Sequence, residues 1–218
     1  MKILSGPELE PISGGKAKQL VLLLHGLGAD GNDLIGLAPE FSDVLPDAHF
    51  IAPNAPFQCD MSPYGYQWFS LLDRNPKIVL EGVKEAAPIL NKFIDESLKR
   101  FGLDDNKLAL IGFSQGTMMS LYVAPRRSKA CAGVVGYSGA LVGADILKNE
   151  IKSRPPICLA HGDADMVVPF DAMGIAEETL KKNGVSVETL ECPGVAHGIS
   201  LEGVEIGKRF LQEKFGIK

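Results

Sequence analysis

Gly112-Phe113-Ser114-Gln115-Gly116 leaves the backbone of this chain few ways to run. The apolar stretch Leu108-Ala109-Leu110-Ile111 precedes it and Thr117-Met118-Met119-Ser120-Leu121 follows, so the pentapeptide joins a strand to a helix through a sharp turn. A serine at the tip of such a turn projects away from the backbone. The flanking glycines lack the Cβ atoms that would clash where strand and helix come together. Ser114 is thereby placed as a nucleophile. The same residues could also form a glycine-flanked loop serine. What separates the two readings is whether a base, an acid and an anion-stabilising loop exist elsewhere in the chain.

Around this turn the chain alternates strands with helices. Gln19 to Leu24 is an apolar run too short for a helix, bounded by His25-Gly26-Leu27-Gly28, and reads as a central strand. A helix is expected from about Asn32 to Phe41 with Asp30 or Asn32 as its cap, then a short strand, His49 to Ala52, ended by Pro53 and Pro56. Ile78 to Phe101 has helical spacing, with Pro88 as a kink or a break. Strands are expected at Ala132 to Tyr137, Pro156 to His161 and Val185 to Glu191. Helices are expected near Asp145 to Ile151, about Asp171 to Lys182, and Leu201 to Phe215. The pattern implies an α/β chain with a mostly parallel central sheet flanked by helices on both faces. In such sheets the chemistry gathers at the carboxyl ends of the strands.

The stretch from Phe57 to Pro76 holds Met61, Tyr64, Tyr66, Trp68, Phe69, Leu71 and Leu72 with neither a helical nor a strand period. A loop of about 20 residues in a compact domain is usually functional or disordered, and aromatic content disfavours disorder. It reads as a lid, against the alternative that its rings pack on the core from outside. Trp68, Phe69 and Leu71, with Val168, are the candidate substrate contacts.

At 218 residues, with 45% hydrophobic and 22% charged residues, residues 1–218 fit one sizeable domain. A net charge of -5 with no lysine or arginine cluster argues against nucleic acid as a partner. Cys59, Cys131, Cys158 and Cys192 are widely spaced without a C-x-x-C pair and read as free thiols in a reducing compartment. No signal-like apolar stretch opens the chain, and no segment approaches the ~20 apolar residues of a membrane span, so no stable membrane insertion and a cytoplasmic location are expected. No metal is expected. A homodimer is compatible with the sequence but not specified by it.

A serine needs a neighbouring base, and histidine is the side chain whose pKa suits the task. Among His25, His49, His161 and His197, only His197 lies after the turn in a glycine-bracketed loop, Pro193-Gly194-Val195-Ala196-His197-Gly198. His25 and His161 sit at strand ends, where an imidazole more often bonds to backbone. The base in turn needs a carboxylate to hold its tautomer. Asp163 and Asp165, in His161-Gly162-Asp163-Ala164-Asp165, are both placed for this, and the residues alone favour Asp165 only slightly. An oxyanion hole requires the N–H after the nucleophile, that of Gln115, and an N–H from an early strand-to-helix loop. The glycines around Leu27 let its N–H face the site.

With these pieces the chain resembles the carboxylesterase/phospholipase family of α/β-hydrolases, the group that includes the acyl-protein thioesterases. The resemblance runs from about Val21 to the C-terminus through Leu24-His25-Gly26-Leu27-Gly28-Ala29-Asp30-Gly31, Gly112-Phe113-Ser114-Gln115-Gly116, His161-Gly162-Asp163-Ala164-Asp165 and Ala196-His197. The chain order Ser114, Asp165, His197 also matches the α/β-hydrolase triad. The resemblance implies Ser114 as nucleophile, Asp165 rather than Asp163 as the acid, His197 as base, and Leu27 with Gln115 as oxyanion donors. It implies a cofactor-free serine esterase for short to medium acyl esters, with thioesters also in reach. The alternative is an acyl-protein thioesterase or lysophospholipase with a longer apolar groove. A binding protein on a hydrolase scaffold would usually lack a triad member. The run from Tyr64 to Asp73 is longer than the Trp-containing segment of the acyl-protein thioesterases, which bears on substrate rather than chemistry.

Overall fold

The computed structural model describes residues 2–217; Met1 and Lys218, the ends of the unit expected over 1–218, lie outside the described residues. In chain order the strands are β1 (Glu8–Leu9), β2 (Gln19–Leu24), β3 (Ala48–Ile51), β4 (Phe57–Gln58), β5 (Tyr66–Gln67), β6 (Leu108–Phe113), β7 (Gly133–Tyr137), β8 (Ile157–Gly162) and β9 (Val187–Cys192). The helices are α1 (Gly31–Leu34), α2 (Ala38–Ser42), α3 (Pro76–Phe101), α4 (Gln115–Val123), α5 (Leu147–Glu150), α6 (Asp171–Lys182) and α7 (Leu201–Lys214). Seven strands form one sheet in the order β1-β3-β2-β6-β7-β8-β9, while β4 and β5 pair as a separate hairpin. Every neighbour in the large sheet is parallel except the β1–β3 pair at its edge.

The central strands are apolar at odd and even positions because each face is covered. Leu20, Leu22 and Leu24 of β2 join Leu108 and Leu110 of β6 in a core with α3, α4 and α6. Val21 and Leu23 of β2 join Ala109 and Ile111 in a second core, closed by Phe41 of α2 and by Val204, Phe210 and Leu211 of α7. The mostly parallel sheet with helices on both faces is the architecture expected from the sequence.

Three elements differ from the sequence reading. The helix expected over 32–41 is broken into α1, a 3₁₀ turn at Ile35–Leu37, and α2. Pro39 has no N–H to give the Ile35 carbonyl, so the α-helical ladder cannot run through this point. Asp30 is the cap, its carboxylate accepting from the N–H groups of Asn32 and Asp33. Pro88, by contrast, does not break α3, which runs from Pro76 to Phe101. It lies on the exposed face, where the Lys84 carbonyl it leaves unpaired can meet water. Finally, β1 carries no apolar period to reveal it, being two residues held at the sheet edge by Ile51 and Phe50.

At the end of β6 the chain turns sharply into α4. Ser114 sits at φ 52° and ψ −114°, a conformation an L residue rarely adopts and one that costs on the order of 1–3 kcal/mol. Its N–H donates to the Tyr137 carbonyl at 2.9 Å, and its own carbonyl accepts from Met118 at 3.1 Å. A Cβ at Gly116 would overlap the Leu24 carbonyl, and one at Gly112 would overlap the Gly116 and Thr117 backbone. Gly116→Ala should therefore lower unfolding stability by about 3 kcal/mol or more, because rigid backbone rather than a movable side chain must give way. Chemical denaturation that finds a loss below about 1 kcal/mol would show the turn to be looser than described here.

Candidate active site

The loops that follow the central strands converge on a cavity of about 740 Å³ lined by Gly26, Leu27, Phe113, Ser114 and His197 at its base. Gly26 comes so close to Ser114 that a Cβ there would lie 3.4 Å from the Ser114 Cβ. Leu71 and Val168, two of the residues expected to meet substrate, line the walls. So do Val79, Met118, Leu141 and Ala172, giving a largely apolar lining with Arg74 and Asp145 as its charged members.

His197 and Asp165 are brought together across 32 residues. Nδ1 of His197 lies 2.8 Å from Oδ2 of Asp165. The other carboxylate oxygen accepts from the N–H groups of Val167 at 2.8 Å and Val168 at 2.9 Å. Burial pushes the Asp165 carboxyl upward, but the His197 hydrogen bond and the Val168 and Val167 amides outweigh it and hold the pKa below the usual carboxylate range. Asp163 has the other occupation open to a loop carboxylate, accepting the Gly194 N–H at 2.6 Å and tying the turn before His197. It is not in contact with the imidazole among the hydrogen bonds and ion pairs of the described residues.

Two further residues hold this arrangement, Ser138, which sequence reasoning passed over, and His161. The Ser138 hydroxyl, at the end of β7, donates to the Gly198 carbonyl at 2.9 Å and so anchors the residue next to His197. His161 places Nε2 at 3.0 Å from the Val168 carbonyl and 3.2 Å from Asp165 Oδ2. The backbone role expected for His161 is present, with a contact to the carboxylate added. A strand-end histidine spaced four residues before a candidate acid was the available signal.

Leu27 lies in the loop after β2, on the cavity wall. Its N–H makes no hydrogen bond within the described residues. Gln115 opens α4, where a first-turn N–H has no intrahelical acceptor. Buried His25 braces the Leu27 loop: Nδ1 donates to the Gly26 carbonyl at 2.7 Å and Nε2 accepts the Ala55 N–H at 2.9 Å. Burial, only partly countered by the bond to Gly26, moves its pKa down and favours this neutral form.

Trp68 and Phe69 are not cavity contacts. Trp68 is 0% exposed and Phe69 2%, both within the core beneath α3. The Trp68 Nε1–H donates to the His25 carbonyl at 3.0 Å, and its backbone N–H donates to Gln115 Oε1 at 2.8 Å. The Gln115 Nε2 group donates to the Phe69 carbonyl at 2.7 Å. An indole this large gains more by filling the core, with a carbonyl for its single donor, than by facing solvent. The stretch expected to be a lid is thus, at its aromatic centre, a strap fastened to the core. Only its end, from Leu71 onward, reaches the cavity.

The strand order and the strained serine turn, with a His197–Asp165 pair whose imidazole lines the same cavity as Ser114, are those of an α/β-hydrolase, and the chain is a serine hydrolase of that superfamily. The Phospholipase/Carboxylesterase family description matches residues 11–215. The chain belongs to that family. It is similar to the acyl-protein thioesterase 1 homolog 1 of Dictyostelium discoideum, 27% identical over 203 residues, covering 88% of this chain and 89% of the relative. Acyl-protein thioesterase 1 of Aspergillus fumigatus is 29% identical over 213 residues, covering 88% and 86%. Among solved structures, esterase PE8 superimposes with a TM-score of 0.93 at 39% identity, covering 97% of this chain and 99% of that one. The carboxylesterase of Bacillus cereus, at 19% identity and a TM-score of 0.79 over 97% of this chain and 95% of its own, shares the fold. Among the described residues no group of three or more His, Cys, Asp or Glu side chains could hold a metal ion, and no helix is long and apolar enough to cross a membrane.

A carboxyl with a depressed folded-state pKa stabilises the fold above its unfolded value, and that contribution is lost as pH falls through the folded value. Asp165→Asn should therefore be less stable than the native chain at neutral pH by about 1–3 kcal/mol. The gap should close as the pH drops through and below the ordinary carboxylate range. Denaturant midpoints measured as a function of pH check this, and a gap that does not change with pH would contradict it.

Proposed function

We propose that this enzyme hydrolyses short to medium acyl esters, and thioesters of the same acyl groups, through an acyl intermediate on Ser114. The observation that carries the reading is the 2.8 Å contact between His197 Nδ1 and Asp165 Oδ2, on a loop whose imidazole opens onto the same cavity as Ser114. With Nδ1–H engaged by the carboxylate, Nε2 is free of a proton and takes that of Ser114 as its hydroxyl attacks the acyl carbon. The carbonyl oxygen becomes an oxyanion, stabilised by the Leu27 and Gln115 N–H groups. The imidazolium then hands its proton to the leaving alcohol or thiol. Water repeats the sequence on the acyl-serine, releasing the acid and restoring the hydroxyl.

The apolar walls, Leu71 and Val168 among them, support an acyl group as the part of the substrate held in the cavity. The thioesterase relatives favour a second reading, in which acyl-protein thioesters are the substrate. An ester and thioester panel over increasing acyl length separates the two, because the second reading requires kcat/KM to keep rising into long chains. A reducing, cytoplasmic setting is supported by the four free cysteines. Burial pushes Cys131 and Cys158 up to about 12, which keeps them as thiols. The exposed apolar side chains of Leu72, Met166 and Val167 support self-association into a homodimer, which sedimentation velocity reads.

Ser114→Ala should abolish labelling by a fluorophosphonate and lower kcat by roughly 10⁴ to 10⁶; equal labelling of both proteins would remove Ser114 from the chemistry. Leu71→Trp should narrow the cavity and reduce kcat/KM for octanoyl relative to acetyl esters by about 10- to 100-fold. Uniform loss across the series would mean that Leu71 does not contact the acyl chain.

A further inference from the structure

Resting on the reading of Leu27 and Gln115 as oxyanion donors, we propose that the Gln115 side chain and Trp68 are positioning residues that set the geometry of the oxyanion hole. The two donors come from separate pieces of chain, one on the loop after β2 and the other at the start of α4. No hydrogen bond among the described residues joins the Leu27 and Gln115 backbones directly. The strap Tyr66 to Phe69 joins them instead.

On the Leu27 side the strap is stitched three times. The Gly28 N–H donates to the Tyr66 carbonyl at 2.9 Å, the Tyr66 N–H donates to the Ala29 carbonyl at 2.8 Å, and the Trp68 indole holds the His25 carbonyl at 3.0 Å. These contacts bracket Leu27 on both sides. Gly65, at φ 75°, packs so close to the Gly28 carbonyl that no Cβ would fit between them. On the α4 side the Gln115 amide takes one hydrogen bond from the strap at Trp68 N–H and gives another at the Phe69 carbonyl. Gln115 is 0% exposed, so both halves of its amide are committed and neither is shared with solvent. The residue whose backbone N–H supplies one donor thus uses its side chain to hold the strap that fixes the other.

An oxyanion donor acts on charge that exists only after attack, so its placement matters to the transition state far more than to bound substrate. Displacing such a donor by a fraction of a bond length lowers kcat and leaves KM nearly alone. A strap that merely filled the core would affect stability instead.

The test compares Gln115→Met, which keeps length and bulk but loses both strap bonds, with Trp68→Phe, which keeps a ring and loses the indole donor. Rates are normalised to active sites titrated with a fluorophosphonate, so unfolded protein does not count. An alkyl trifluoromethyl ketone, whose hemiketal on Ser114 carries the oxyanion, reports the hole directly. Gln115→Met should lower kcat by about 10- to 100-fold and weaken the ketone by a similar factor, with KM changed by less than about 3-fold. Trp68→Phe should follow in the same direction. If both Gln115→Met and Trp68→Phe keep kcat per titrated site and ketone affinity within about 2-fold while melting at lower temperature, the strap is structural and the proposal is overturned. A native enzyme that forms no ketone adduct would overturn the oxyanion reading itself, a result recognisable because it does not depend on any strap variant.

Discussion

The start of α4 is pressed against the end of β2, and the rest of the site depends on that contact. Gly116 sits where its missing side chain would overlap the Leu24 carbonyl, so helix and strand meet backbone to backbone. The helix start can then reach the loop after β2, and Ser114 is forced to positive φ between them. The strain is spread over bonds to Tyr137 and Met118 and over two cores that cover the sheet on both faces. A serine could not be held this far from an ordinary backbone conformation by a loop with no sheet beneath it.

The imidazole and carboxylate obey a second constraint, that a buried charge must be fully hydrogen-bonded. Asp165 is 5% exposed and meets that condition through two backbone amides and two histidines. Because Val167 and Val168 provide those amides and also line the cavity, the wall and the acid are fixed by the same turn. His197 is then held from the opposite side by Ser138 through Gly198.

Much of this was legible in the sequence because it depends on local pattern. The glycine-flanked serine after an apolar run, the His-Gly-Leu-Gly loop and the His-Gly-Asp-Ala-Asp stretch each announce a strand end. That Asp165 rather than Asp163 meets the His197 imidazole was not legible from the residues, since it turns on which carboxylate faces a loop 32 residues away. Trp68 was misread for a related reason. A ring in an aperiodic stretch carries no sign of which way it faces, and its partners, the His25 carbonyl and the Gln115 amide, lie 43 and 47 residues away in sequence. The break in the helix at Ile35 could have been seen, because Pro39 stands four residues after it.

The serine turn and the cavity walls come from different parts of the chain. Ser114 and Asp165 follow the buried strands β6 and β8, and His197 follows β9 at the sheet edge, where the Ser138 hydroxyl holds the next residue. The cavity walls come from Leu71 on the tail of the strap, Val79 in the first turns of α3, Leu141 to Asp145 after β7, and Ala172 at the start of α6. Side chains at these positions can change size without moving a strand end, so the shape of the cavity can vary while Ser114, Asp165 and His197 stay in place. The strap is the exception. Its tail faces the cavity while its centre ties the loop after β2 to α4, so an insertion or deletion between Tyr66 and Leu71 would disturb the cavity wall and that tie together.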